Sequence, residues 1–252
     1  MDWKKISIII MISLSLFVST GIASEKNMKI VCDVWPPYQI SNEGSLNGFS
    51  TKIIKEVLKR MNVDIESLEA CPWKRALYMI EKDEADALFS ANYTQERTGF
   101  AYYPDEAIVE SPWVIWSRAE DAFTYASLND LIGKKLGTVR GYSYTQELMD
   151  FLKTHNNYDE VTDDLSNFKK LNAGRVDVII AELGNGYSVL NELKIKNIVP
   201  HKNHPIKTDG LYIIFNKHRI SQAFVKKFSE ELKKIKQESI YQTWYDDYFK
   251  ST

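Results

Sequence analysis

The residues best suited to chemistry form one short polar cluster. Ser90, Asn92, Thr94 and Arg97 follow the apolar run DALF and precede the aromatic stretch GFAYYP. An arginine guanidinium binds a carboxylate through two parallel hydrogen bonds, and neighbouring hydroxyl and amide groups can satisfy the remaining lone pairs. The cluster therefore predicts an anion site centred on Arg97. The alternative interpretation is an ordinary strand end that runs into a turn.

A second charged residue, Glu182, ends the apolar run DVIIA and precedes the flexible sequence LGNG. A carboxylate beside buried strand residues costs free energy unless a cation or several hydrogen-bond donors accompany it. Glu182 is therefore a candidate partner for a ligand ammonium group. The alternative is a helix cap, because acids stabilise the first turn of a helix. The sequence leaves both interpretations open.

Two tryptophans, Trp35 and Trp73, each begin a loop at the end of an expected strand. Trp35 belongs to the sequence WPPY, in which Pro36 and Pro37 stiffen the backbone. The pair predicts two flat walls around the body of a ligand. Core packing is the alternative, because tryptophan is highly buried on average.

The chain carries none of the common catalytic signatures. It has no Gly-rich phosphate loop, no GxSxG nucleophile turn and no histidine–cysteine pattern with metal-ligand spacing. None of its four histidines falls at a polar strand end. We therefore expect no catalytic residue, no cofactor and no metal site, and a protein that is not an enzyme.

The N-terminal residues indicate where the protein is located, and the overall charge indicates which partners are unsuitable. Residues 1–23 have the layout of a signal peptide: the basic start MDWKK, an uncharged apolar stretch and the small residues around Ala23. We expect cleavage near Ala23 and export to the periplasm, with an uncleaved membrane anchor as the alternative. The formal net charge of −2 and the lack of a basic stripe argue against a nucleic-acid partner.

The elements that must position these residues alternate between strand and helix. MKIVCDVW, IESLEAC and DALFSA are predicted strands separated by helices, and KKLGTVRG, DEVTD and VDVIIAE form a second such set. Apolar residues recur at helical spacing in the intervening segments. Two β-α-β-α-β units indicate an α/β fold in which each unit is a mainly parallel sheet flanked by helices.

Two extended segments, SPWVIWSRAED and GLYIIFNK, connect the two units. We therefore divide the chain into a first lobe over residues 24–115, a second lobe over residues 116–211, and a return to the first lobe over residues 212–252, which ends in helices. Ligands bind outside the carboxyl ends of parallel strands. The polar clusters should therefore converge on a cleft between the lobes.

The only two cysteines, Cys32 and Cys71, lie near the ends of the predicted strands KIVCDV and SLEACPW. Export permits a disulfide. If the strands are parallel neighbours, the two thiols should lie close enough to form one. A pair of buried free thiols is the alternative.

The order and spacing of several segments resemble family 3 of the bacterial extracellular solute-binding proteins, the type that serves polar amino-acid ABC transporters. The resemblance covers about residues 25–250 and rests on DVWPPYQ, LNGFSTKIIKEVLKRM, CPWKRALYMIEKDEADALFSANYTQERTGFAYYP, LNDLIGKKLGTVRGYSYTQELM and LNAGRVDVIIAE. It implies a two-lobed periplasmic-binding-protein-like fold of type II, with two hinge crossings. It also implies a membrane permease as partner and, we expect, a monomer.

Carried over to this sequence, the resemblance implies roles for the polar clusters. Arg97 would bind a ligand α-carboxylate, with Ser90 and Asn92 beside it. Tyr142 and Ser143 would form the turn of the second lobe that contacts the same carboxylate.

The other ligand contacts follow from the same resemblance. Glu182 lies where the family usually has an aspartate for the α-ammonium group, and Trp35 and Trp73 would flank the ligand side chain. Arg75 and Arg140 depart from the family pattern as additional cations near the expected cleft. They favour an anionic ligand or one that is not an amino acid, with solvated surface charges as the alternative.

The resemblance thus predicts a periplasmic protein that captures an amino acid or a similar small polar solute for an ABC importer. One alternative is an exported dehydratase of the cyclohexadienyl or arogenate type with Glu182 as its acid, although the sequence offers no base. Another is a ligand-sensing partner of a membrane signalling protein.

Overall fold

The computed structural model describes residues 27–42 and 44–249. The predicted signal peptide lies outside the described residues. Within the described part of the chain, no helix is both long and apolar enough to cross a membrane.

The first set of elements alternates between strand and helix and includes one short hairpin. Its members are β1 (Asn27–Cys32), β2 (Ile40–Asn42), β3 (Ser45–Asn47), α1 (Phe49–Arg60), β4 (Asp64–Ala70), α2 (Trp73–Glu81) and β5 (Ala87–Asn92). The predicted apolar stripe of α1 is buried, with Ile53, Val57 and Leu58 inaccessible to solvent. This spacing of three and four residues gives the helix one continuous apolar face.

The second set lies in the region that comprises β6 (Ala101–Tyr102), β7 (Val109–Arg118), β8 (Leu136–Val139), α3 (Gln146–His155), β9 (Tyr158–Val161), α4 (Asp164–Asn172), β10 (Val178–Glu182), α5 (Leu183–Leu193), β11 (Ile198–His201) and β12 (Lys207–Asn216). It runs from β8 to α5; strands β6 and β7 come before it, and strands β11 and β12 come after it. The chain then forms α6 (Gln222–Lys236) and α7 (Ser239–Phe249), both of which pack on α1.

The main sheet follows the order β4-β1-β5-β12-β7-β10-β8-β9. Strands β4, β1 and β5 are parallel and form what we call the first half-sheet; β10, β8 and β9 are also parallel and form the second half-sheet. The predicted α/β fold with two mainly parallel units is confirmed.

The two predicted connecting segments are the long strands β7 and β12, each of ten residues. β12 pairs with β5 through Leu211–Phe215 and with β7 through Lys207–Leu211, both antiparallel. β7 in turn pairs with β10 from Trp113 onward. The half-sheets are thus joined by two antiparallel strands that each pair on both sides. The division into lobes at residues 115–116 and 211–212 stays a prediction.

Cys32 ends β1 and Cys71 directly follows the neighbouring strand β4, but both are free thiols and do not form the predicted disulfide. Cys32 is in register with Ala70, and the amide of Cys71, the next residue, donates a hydrogen bond to the carbonyl of Cys32. Successive strand residues point to opposite faces. Accordingly, Cys32 packs into one apolar cluster and Cys71 against another.

Candidate ligand-binding site

A small cavity lies where the carboxyl ends of β1, β5 and β8 meet. Seven predicted residues line it together with two that were not predicted: Trp35, Trp73, Ser90, Asn92, Arg97, Tyr142 and Ser143, with Asp33 and Trp113. The space that a water-sized sphere can enter is about 20 Å³, which is room for roughly one water molecule. A larger ligand can therefore occupy it only when the lining groups move apart.

Arg97 as a whole residue is 7% exposed, and it is the basic residue among the described residues that line the cavity. One nitrogen, Nη1, donates to the carbonyl of Asn92 at 2.8 Å, and the guanidinium lies 5.2 Å from the centre of the Trp73 ring. Burial lowers the pKa of Arg97, but an arginine remains protonated at neutral pH. Among the described residues no carboxylate forms an ion pair with it, so its charge is available to an anionic ligand.

A strand irregularity turns Ser90 toward this cavity. The register between β12 and β5 shifts so that Ala91 and Phe89 have successive partners while Ser90 has none, and Ser90 has a φ of 60°. A β-bulge of this kind redirects a side chain. The Ser90 hydroxyl accepts a hydrogen bond from the side-chain amide of Gln39 and donates to Ser50 Oγ at 3.1 Å.

Three more aromatic rings, those of Trp35, Trp113 and Tyr142, line the same cavity. The ring of Trp35 lies 6.0 Å from that of Trp113, and the ring of Tyr142 lies 5.5 Å from Trp113. The indole N–H groups of Trp73 and Trp113 are buried and have no hydrogen-bond partner among the described residues. Because buried polar groups are nearly always paired, these two donors are candidates for contacts with a ligand.

Two carboxylates complete the site, and sequence reasoning had missed both. Asp33 lines the cavity, and Asp164 accepts hydrogen bonds from Trp35 Nε1 at 3.0 Å and from the Tyr142 hydroxyl at 2.8 Å. Burial, assisted by the nearby charge of Asp164, raises the pKa of Asp33 to about 7, and burial raises that of Asp164 to about 6. A ligand cation beside Asp33 would stabilise its ionised form.

Asp33 could have been recognised from the sequence, because it follows β1 as directly as the other polar clusters follow their strands. Trp113 and Asp164 carried no such signal. Trp113 lies within the long strand β7, and Asp164 is the first residue of α4.

Glu182 lies outside the cavity that contains Arg97. It caps α5, where its carboxylate accepts a hydrogen bond from the amide of Asn185 at 2.7 Å. Burial raises the pKa of Glu182 to about 7, and hydrogen bonds to the carboxylate only partly offset this. The structure therefore has the helix-cap arrangement, and Glu182 lines a second pocket of about 150 Å³.

The two additional arginines also lie outside the cavity lining. Arg75 is exposed and pairs with Glu84 at 2.9 Å, and Arg140 is exposed and pairs with Glu160 at 3.4 Å. These contacts correspond to the surface-charge alternative. A different cation, Lys207, lies 5.5 Å from the Trp113 ring centre and pairs with Asp209.

Solved structures with the same fold include three informative ones. An ancestral arginine-binding protein bound to arginine is 18% identical, with a TM-score of 0.76 over 89% of this chain and 98% of that chain. A structure from work on glutathione import through GshT and the cystine ABC importer TcyBC of Streptococcus mutans is 19% identical, with a TM-score of 0.77 and coverage of 89% and 95%. AncCDT-1, an ancestral amino acid-binding protein and precursor of cyclohexadienyl dehydratase, is 17% identical, with a TM-score of 0.73 and coverage of 89% and 96%.

The sequence comparisons identify the family. No curated protein sequence matches the chain. The model of the bacterial extracellular solute-binding proteins, family 3, matches residues 28–251. This match spans both half-sheets and every element that lines the cavity, and the chain therefore belongs to family 3 of the bacterial extracellular solute-binding proteins.

Proposed function

We propose that the protein captures an amino acid or a similar small polar solute between two lobes and delivers it to an ABC importer. The observation that carries this proposal is the presence of Arg97 and Asp33 on one small, aromatic-walled cavity. A buried guanidinium without an ion-pair partner is suited to a carboxylate. A carboxylate on the same cavity is suited to an ammonium group.

The ligand contacts follow from this charge arrangement. The ligand carboxylate binds Arg97, with Ser90, Asn92 and the turn at Tyr142 and Ser143 alongside. Its ammonium group faces Asp33, which takes the role that the sequence had suggested for Glu182. The indole rings of Trp35 and Trp73 flank the rest of the ligand.

Closure of the lobes around the ligand is part of the proposal. The WPPY loop follows the first half-sheet and contacts two helices of the second: Trp35 donates to Asp164 at the start of α4, and Asn185 of α5 donates to the carbonyl of Pro36 at 2.7 Å. Such contacts can form only when the lobes are together. Export by the signal peptide, a periplasmic location, a permease partner and a monomeric state belong to the same proposal.

A dehydratase of the cyclohexadienyl type is a second candidate, which one observation favours. Asp33 lies on the cavity and its pKa is raised to about 7, so it could act as a general acid toward a leaving hydroxyl near neutral pH. The likeness to AncCDT-1 supports the fold but not the activity. Formation of an aromatic product from arogenate or prephenate, lost in Asp33→Asn, would establish this candidate.

Ligand identification tests the main proposal directly. We expect mass spectrometry of solute released from the purified, denatured protein to find an amino acid-like compound. The same compound should raise the melting temperature when added back to ligand-free protein. If no amino acid, small dicarboxylate or polyamine raises the melting temperature of protein stripped of bound solute, the proposed function is wrong.

A further inference from the structure

The second pocket, which Glu182 lines, lies where the start of α5 meets β7 and the end of α7. Five aromatic side chains surround its space of about 150 Å³: Tyr38, Tyr187, Tyr245, Tyr248 and Phe249. We call this cavity the aromatic pocket. It is separate from the cavity around Arg97 and shares no lining residue with it.

The walls of the aromatic pocket are held by contacts between rings. Tyr245 stacks on Phe249 with 4.7 Å between ring centres, and Tyr38 lies 5.4 Å from Phe249. A Cβ atom on Gly184 would lie 2.9 Å from Phe249, too close for an unshifted ring. A glycine at this position therefore allows the end of α7 to approach α5.

The charge of the aromatic pocket is negative. Glu110 and Glu182 both line it, and none of the lining residues within the described part of the chain is basic. Glu182 is 1% exposed, and the hydrogen bonds to its carboxylate come from uncharged groups, the backbone of Asn185 and Gly184 and the side chain of Tyr38. Among the described residues no lysine, arginine or histidine forms an ion pair with either glutamate.

Two lysines approach the pocket's rings without lining its space. Lys202 lies 4.9 Å from the ring centre of Tyr187, and Lys52 lies 5.1 Å from that of Tyr248. Both distances fall within the range of attraction between an ammonium group and an aromatic face. These rings are thus already placed to attract cations.

We propose that the aromatic pocket is a second binding site, for a small organic cation of the alkylammonium class. Aromatic rings attract an alkylated ammonium group through their faces and accommodate its carbon atoms, while a carboxylate supplies the counter-charge. A buried carboxylate that lacks a cation is costly to keep ionised. A bound ammonium group removes that cost at Glu182.

Occupancy of this site also favours closure. The pocket is built from Tyr38 and α7 on the side of the first half-sheet and from the start of α5 on the side of the second. A cation bound between them stabilises the arrangement in which they meet. This consequence rests on the proposed function: by reciprocity, the cation and the cleft ligand should then each tighten the binding of the other.

Calorimetric titration of the mature protein with choline tests the site. We expect saturable binding of choline and none of its neutral carbon analogue, which has the same shape without the charge. Glu182→Gln should weaken choline binding by about tenfold, because Glu182 is buried beside the aromatic rings, and Glu110→Gln, at an exposed position, by about threefold. Glu192→Gln, an exposed change at the far end of α5, is the matched control and should leave it unchanged.

Two results would overturn the proposal. One is the absence of saturable choline binding to the wild-type protein, and the other is equal binding of the neutral analogue. Retained choline affinity in Glu110→Gln, whose exposed position makes misfolding a poor explanation, would likewise exclude the pocket. Choline binding should persist in Arg97→Ala, so failure of this site and failure of the proposed function give different results.

Discussion

The ends of β5 and β10 look alike in the sequence but differ in the structure. Each strand is fully buried and leads into polar residues that include one charged side chain. This side chain is Arg97 after β5 and Glu182 at the end of β10. Arg97 reaches a cavity shared by both half-sheets, whereas Glu182 turns back onto its own helix. The same sequence pattern thus produced a candidate ligand contact in one half-sheet and a helix cap in the other.

The difference arises from the backbone that each strand leads into. After β5 the bulge at Ser90 and a turn let Arg97 swing back over the strand end, where Thr94 Oγ accepts a hydrogen bond from its amide at 3.2 Å. After β10 a helix begins at once, and the Glu182 carboxylate accepts a hydrogen bond from the Asn185 amide in its first turn. Unpaired amides in a first helical turn attract the nearest acceptor. A charge directly before a helix is therefore a weaker ligand candidate than one in a loop.

The largest expected effect is a loss of ligand affinity, which should occur on substitution of Arg97 but not of Glu182. We expect Arg97→Ala to weaken binding of the solute that the protein captures by about a hundredfold, because a buried ligand carboxylate would lose its counter-charge. Glu182→Gln should change this affinity by less than about threefold. Isothermal titration with the same solute measures both.

A larger loss of affinity in Glu182→Gln than in Arg97→Ala would contradict this difference between the two strand ends. If Glu182→Gln abolished binding while Arg97→Ala did not, Glu182 would have to face the ligand in the bound protein. Circular dichroism of both variants controls for misfolding.

A smaller effect concerns stability and pH. The folded-state pKa of Glu182 is raised to about 7 above its usual unfolded value of about 4.3. The unfolded state therefore ionises first as pH rises, and the free energy of unfolding should fall between about pH 4 and pH 7. Asp33 and Asp164 act in the same direction.

Glu182→Gln should make this decline shallower, on the order of 2 kcal/mol, because the amide does not titrate. Denaturant unfolding at several pH values between about 4 and 8 measures it. An equally steep decline in the variant would show that folding does not raise the pKa of Glu182.

The smallest effect is expected for the additional arginines. Arg75→Gln and Arg140→Gln should each change ligand affinity by less than about twofold, because both side chains are exposed and pair with surface glutamates. A tenfold loss in either variant would place that arginine at the ligand and restore the interpretation that its sequence position first suggested.

Much of the fold was predictable because it depends on local patterns. The apolar stripe of α1, the alternation of strands and helices, and the two extended connections all appear as residue spacing, and the structure has them as α1, the two half-sheets and β7 with β12. The disulfide was not predictable in this way. Whether Cys32 and Cys71 share a face depends on a one-residue difference in strand register.

The sequence by itself determined the elements, through residue periodicity, and the family resemblance. It also brought together the polar residues at strand ends, because loops after parallel strands meet at one edge of a sheet, and the resemblance added Tyr142 and Ser143 to that group. Only the tertiary structure decided which acid shares the cavity with Arg97, because Asp33 and Glu182 both lie at strand ends. The helix that begins directly after Glu182 takes its carboxylate as a cap, and the approach of α7 to Gly184, a long-range outcome of packing, completes the aromatic pocket around it.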